Sequence, residues 1–84
     1  MALRFTVLAS GSAGNASLIE ASGFGLLLDA GLGPRQLAGR FAAVGTSWQG
    51  VHAALLTHTH GDHWNDRTLA HLHRLRIQIG RAHV

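Results

Sequence analysis

Thr57-His58-Thr59-His60-Gly61-Asp62-His63 sets four potential metal ligands within six consecutive positions, 58 to 63. In an extended segment side chains alternate, so His58 and His60 share a side. Gly61 permits a sharp turn that a bulkier residue would resist. Asp62 and His63 can then face the same pocket from the far side of that turn. Neutral imidazole and carboxylate are suitable zinc ligands at roughly 2.0–2.2 Å. At this chain's own His and Asp frequencies, a chance occurrence of the pattern comes to about 0.0015. The competing reading is a solvated, histidine-rich loop that binds nothing.

Such a loop needs elements to hold it. Arg4 to Leu8 alternates and reads as a first strand, broken by Ser10-Gly11-Ser12-Ala13-Gly14-Asn15. Ala16 to Ala21 and Phe24 to Asp29 form a hairpin about Ser22-Gly23. The continuous run Leu26-Leu27-Leu28 suggests a strand covered on both faces. Pro34 suits the first turn of a helix whose stripe is Leu37, Phe41 and Val44, with Gly45 as terminator. Val51 to Thr57 is a further apolar strand, and the histidine run follows at its carboxyl end, where open α/β sheets hold ligands. Asn65 or Asp66 can cap a second helix carrying Leu69, Leu72 and Leu75, and Arg76 to Ile79 begins another strand. The fold class is α/β, with helices packed on a sheet.

Composition sets the outer limits. The chain has 84 residues, 46% of them hydrophobic and 13% charged, which is wrong for a disordered polypeptide. It is near the size at which burial only just balances the entropy of ordering, and a sheet face left uncovered would put it short. The absence of cysteine excludes a disulfide framework and a Cys-ligated zinc finger. No apolar run approaches the roughly 20 residues of a membrane helix, and Gly11 and Gly14 cut the apolar N-terminus that a signal peptide would need. The expectation is therefore no membrane partner. The net charge of +3 comes from scattered arginines, which by themselves say little about nucleic acid.

His58-x-His60-x-Asp62-His63 after an apolar strand resembles the signature of the metallo-β-lactamase superfamily. Leu27-Leu28-Asp29-Ala30-Gly31 is similar to the strand ending in that superfamily's first acidic position. Ser10-Gly11-Ser12-x-Gly14-Asn15 is similar to a loop of its cytoplasmic branch of exonucleases and other phosphodiesterases. The resemblance covers about residues 3 to 77. It implies the N-terminal half of an αβ/βα sandwich, a mixed sheet with helices on one face. It also implies a two-zinc site, with His58 and His60 on the first ion and Asp62 and His63 on the second, Asp62 being catalytic as well. Manganese or iron suits such donors too. Asp29 would orient the histidine loop by hydrogen bonding. A hydroxide activated by zinc would attack a phosphodiester, with nucleic acid or a small phosphodiester as substrate.

Ser12 and Asn15 would meet the substrate, although a plain tight loop between strands explains Ser12, Gly14 and Asn15 as well. Trp64 reads as a packing anchor before a stacking platform. His52, His71 and His73 read as surface residues; His71, His73 and His83 make poor replacements for the ligands that full-length relatives supply later in the chain. With two donors per ion, short of the usual three, the 84 residues alone should be inactive. A thioester or lactone hydrolase of the same fold is the alternative enzyme, and a non-catalytic metal-binding polypeptide is the alternative outside enzymes.

Ile79-Gly80-Arg81-Ala82-His83-Val84 coincides with the translation of a common sequencing adapter, ATC GGA AGA GCA CAC GTC, whose preceding AG fits a CAG codon for Gln78. The expected organisation is a partial domain over 1–77 and a non-native tail over 78–84. Resequencing the locus tests this: the genomic frame should diverge from the adapter near codon 78, whereas a continuous native frame through these codons to a genuine stop refutes it.

Overall fold

The computed structural model describes residues 2–11, 14–58 and 65–83. Strands β1 (Leu3–Ala9), β2 (Ala16–Ala21) and β3 (Phe24–Leu28) run as an antiparallel meander. Ser22 and Gly23 both have positive φ, at 49° and 79°. That is the two-residue hairpin turn whose twist matches that of the flanking strands. Helix α1 (Pro34–Ala43) then carries the chain to β4 (Ala53–His58), and helix α2 (Asp66–Arg74) carries it to β5 (Gln78–His83). A 3₁₀ turn at Trp48–Gly50, which the sequence reading does not anticipate, precedes β4. The sheet order is β1-β2-β3-β4-β5, with β3, β4 and β5 mutually parallel. The tail expected to be non-native thus contributes the parallel edge strand.

Both crossovers step in the same direction along the sheet. A right-handed crossover at each step therefore puts both helices on one face. There Leu37, Phe41 and Leu72 meet Leu18, Leu27, Ala54 and Leu56 in a single buried cluster. In α2 the buried positions are Thr68 and Leu72, one turn apart, while Leu75 is 45% exposed. The expected stripe of Leu69, Leu72 and Leu75 shifts because the helix ends at Arg74 and Leu75 belongs to the turn.

The opposite face has no layer over it among the described residues. Leu27 is buried, but its neighbours Leu26 and Leu28 point the other way and are only half-buried. Among the described residues the helices cover one side only of this strand, where the apolar run was read as covered on both. Leu3, Phe5 and Val7 of β1 and Phe24 of β3 stay largely exposed.

Both helices close on the same hydrogen-bond motif. Thr46 N and Gly45 N donate to the carbonyls of Phe41 and Ala42 after α1; Ile77 N and Arg76 N donate to those of Leu72 and His73 after α2. Each motif needs a left-handed residue. The first has Gly45 at φ 82°, whereas the second forces Arg76 to φ 58°. Arg76→Gly should therefore raise stability by about 1 kcal/mol, and Gly45→Ala should lower it by a similar amount. Urea denaturation of the two variants measures both signs.

Candidate metal centre

Three of the four expected ligands, His60, Asp62 and His63, lie outside the described residues, as do Ser12 and Trp64. His58 is the last residue of β4. The structure describes, on both sides of the histidine run, what holds its ends. Those ends converge on residues 29–33.

Pairing of β3 with β4 ends at Leu28 opposite Leu55, and Asp29 N still donates to Leu55 O at 2.9 Å. In a continued parallel ladder the Asp29 carbonyl would next accept from Thr57 N. Asp29 instead takes φ 67°, a left-handed conformation that Asp tolerates better than most side chains. Its carboxylate takes over: Oδ1 accepts from Thr57 N at 2.8 Å, and the Thr57 hydroxyl lies 2.8 Å from Oδ1 and 2.9 Å from Oδ2. An acidic side chain thereby extends the ladder to the residue before His58. The described partner of Asp29 is thus Thr57, and the histidine loop it was expected to orient lies outside the described residues from 59 to 64.

The return end is fixed one residue further along the same segment. Asn65 N donates to Ala30 O at 2.9 Å. The Asn65 side chain caps α2, its Oδ1 accepting from Arg67 N at 3.0 Å and Thr68 N at 3.2 Å. Thr68, fully buried, donates its hydroxyl proton to Leu32 O at 2.5 Å. Chain departure at Thr57 and chain return at Asn65 are thus tied to consecutive residues, Asp29 and Ala30.

The loop before β2 abuts this segment from the other side. Gly31 N donates to Asn15 O at 3.0 Å, and the Asn15 side-chain oxygen accepts from Gly11 N at 3.1 Å. A Cβ on Gly14 would lie 2.6 Å from Gly31 O, and one on Gly31 would lie 2.6 Å from Asn15 N. Two glycines are needed because two backbones touch. Asn15 therefore has its side-chain oxygen engaged in closing its own loop.

The remaining histidines are dispersed, and among the described residues no group of three or more metal-ligating side chains forms. His73 is exposed, as expected of a surface helix residue. His71 departs from that expectation: it is half-buried, its ring 4.8 Å from that of Trp48 in an edge arrangement. His52 is exposed but latches the hairpin, its Nδ1 accepting from Gly25 N at 3.0 Å while its ring stacks on Phe24. The β4/β5 register sets His83 opposite His58, an adjacency that spacing along the sequence does not reveal.

Replacing Thr57 by Val should destabilise the chain by about 1–2 kcal/mol, because the carboxylate loses a charge-assisted hydroxyl bond, while Thr57→Ser should stay near wild type. Urea midpoints of the two variants check this, and equal stability of Thr57→Val and wild type would refute the clamp.

The model of the Metallo-beta-lactamase superfamily matches residues 9–66. Exodeoxyribonuclease WalJ of Streptococcus pneumoniae serotype 2 (strain D39 / NCTC 7466) is 38% identical over 60 residues, covering 71% of this chain and 22% of that protein. Exodeoxyribonuclease YycJ of Bacillus anthracis is 40% identical over 63 residues, covering 75% of this chain and 24% of that protein. The chain spans about a quarter or less of the length of these curated relatives. The matched segment contains Asp29, Thr57 and the whole run from His58 to His63, and at more than half of the sequence it shows that the chain belongs to the metallo-beta-lactamase superfamily.

Proposed function

We propose that this chain is the N-terminal part of a metal-dependent hydrolase acting on phosphodiester bonds of nucleic acid. The observation that carries the proposal is the donor-rich run His58 to His63, leaving the carboxyl end of β4 with both flanks tied to Asp29 and Ala30. Members of the superfamily typically bind divalent metals. Three imidazoles and a carboxylate are nitrogen and oxygen donors that suit zinc and also accept manganese or iron. His58 and His60 hold one ion in this reading, and Asp62 and His63 the other. When bound, such a pair acidifies water into a nucleophile and offsets the charge that develops on the phosphate.

The chain's own contribution is position. Asp29 fixes the residue ahead of His58, and Asn65 fixes the point where the run rejoins α2. Both helix N-termini open at this end of the parallel strands. Between them lies a groove of about 520 Å³ lined by Gly33, Pro34, Arg35, Gln36, Asn65, Asp66 and Arg67. Its two guanidinium groups, against the one carboxylate of Asp66, favour a phosphate backbone over a neutral thioester or lactone. The names of the relatives support the same substrate class. Four donors shared by two ions leave each short of three protein ligands, so the 84 residues are read as inactive alone.

Two measurements test the proposal. Calorimetry on the 84-residue chain should show weak zinc binding that His60→Ala weakens further; tight uptake of two ions per monomer would contradict the half-site reading. The parent protein read from the resequenced locus should cleave bis-p-nitrophenyl phosphate in preference to a thioester or a lactone, and the reverse preference would overturn the substrate class. In that protein, Arg35→Glu with Arg67→Glu should lower the slope of log affinity for single-stranded DNA against log salt by about 1.4, at roughly 0.7 for each lost phosphate contact.

A further inference from the structure

We propose that the outer face of the helix layer is a binding track for single-stranded nucleic acid, leading from the groove between the helix N-termini along α2 through Arg67 and Arg74 to Arg76. The proposal rests on the phosphodiester reading and adds the path of the strand beyond the bond to be cut. The arginines are scattered in sequence and gathered in space. Of the chain's seven arginines and four acids, Arg35, Arg40, Arg67, Arg74 and Arg76 and a single acid, Asp66, lie on α1, α2 and the turn that closes α2. All five of these arginines are exposed. The helix layer thus carries +4 and the rest of the chain −1, so the net charge of +3 belongs to one face. Charge gathered on one side draws a polyanion to that side.

Position along the helix turns the charges into a line. Arg67 and Arg74 stand two turns apart, which returns them to nearly the same side of α2 at a spacing of about 10 Å. That span covers about three nucleotides at roughly 3.4 Å each. Arg67 also lines the groove with Arg35, so the line begins where the groove ends. Arg74 is steadied by His71, whose Nδ1 accepts from its guanidinium at 3.4 Å. The His71 ring lies edge-on to Trp48, which in turn packs 4.9 Å from the ring of Phe41 in α1. The line therefore runs on the α1 side of α2, away from the β5 edge. In an αβ/βα sandwich the second half closes on the open sheet face, and this helix layer stays outermost.

Arg76 adds an independent observation. It holds the left-handed position of the turn after α2, at φ 58°, where the equivalent place after α1 is Gly45. Glycine takes that conformation freely, and any other side chain does so at a cost. An exposed arginine at a glycine position is accounted for by what its guanidinium meets rather than by the turn. Chemistry then picks the partner. The cations of this chain are all arginines, and guanidinium matches phosphate oxygens in pairs. The exposed residues between Arg67 and Arg74 are Ala70 and His73, with no large apolar side chain for a bilayer to take up.

Anisotropy titrations of a fluorescein-labelled, twelve-nucleotide thymidine oligomer with the 84-residue chain, in EDTA so that the strand stays whole, test the track. Arg74→Gln and Arg76→Gly should each lower the slope of log affinity against log salt by about 0.7. Arg76→Gly also separates binding from folding, because it should raise the urea midpoint while weakening the complex. Arg4→Gln, on the sheet, is the control and should leave the slope as it is. An unchanged slope in both Arg74→Gln and Arg76→Gly overturns the track. The phosphodiester reading is then judged apart from it, by cleavage in the parent protein and by the paired variant of Arg35 and Arg67. A loss from Arg4→Gln equal to that from Arg74→Gln also overturns the track, since attraction would then follow net charge without a path. Polyglutamate that competes as well as a thymidine oligomer of equal charge overturns nucleic acid as the partner.

Discussion

The Asp29 carboxylate replaces a backbone carbonyl at the point where β3 stops. A parallel ladder ends when one strand turns away, and the partner strand beyond that point has amides with nowhere to go. Here the left-handed turn at Asp29 removes its own carbonyl from the ladder and swings its side chain into the vacated position, 2.8 Å from Thr57 N. β4 therefore stays ordered for longer than β3, and the extra length delivers the chain to His58. A neutral isostere could accept the amide but would lack the charge that strengthens the hydroxyl bond from Thr57. The acid at this position has a structural reason to be an acid that stands independently of any metal.

Around that contact the segment 29–33 works as a hub for three separate stretches of chain. Ala30 O takes the amide of Asn65, Leu32 O takes the buried hydroxyl of Thr68, and Gly31 N reaches Asn15. Each bond satisfies a backbone group that an irregular segment would otherwise leave unpaired. The hub is irregular because its polar groups are spent on neighbours rather than on its own secondary structure. That is also how it can reach both ends of the histidine run and the loop of Gly11 to Asn15 at once. The two facing glycines, 14 and 31, are the steric condition for this convergence, since a Cβ on either would sit 2.6 Å from the other backbone.

The sequence disclosed the elements better than their joints. Strands, helices, the Ser22-Gly23 hairpin, the helix start at Pro34 and the terminator at Gly45 follow from local rules of alternation, helical spacing and backbone freedom, which act within a few residues. Asp29 drew notice only through the resemblance, and its partner Thr57 lies 28 positions away. Thr68 has no place in the expected stripe of Leu69, Leu72 and Leu75, yet it is fully buried, its hydroxyl donating to a carbonyl 36 residues earlier. The signal available was its place one turn before Leu72, on the buried stripe. The open sheet face is a different case. Leu26-Leu27-Leu28 has the composition of a doubly covered strand, and the described residues supply the cover on the Leu27 side.

The two faces of the sheet make unequal demands on the same few residues. On the helix side Phe41, Leu37 and Leu72 lock β2, β3 and β4 into register through Leu18, Leu27 and Leu56, each fully buried. That register fixes where β3 ends opposite β4, and hence where Asp29 must act. Among the described residues no layer covers the open side of β1, which is held by its pairing with β2, the Arg4–Glu20 ion pair and Leu8, buried in the helix-side cluster. Order should accordingly fall from β3 and β4 toward β1. The Gly11 to Asn15 loop sits between these regimes, tied to the hub at Asn15 but continuous with β1 at Ala9.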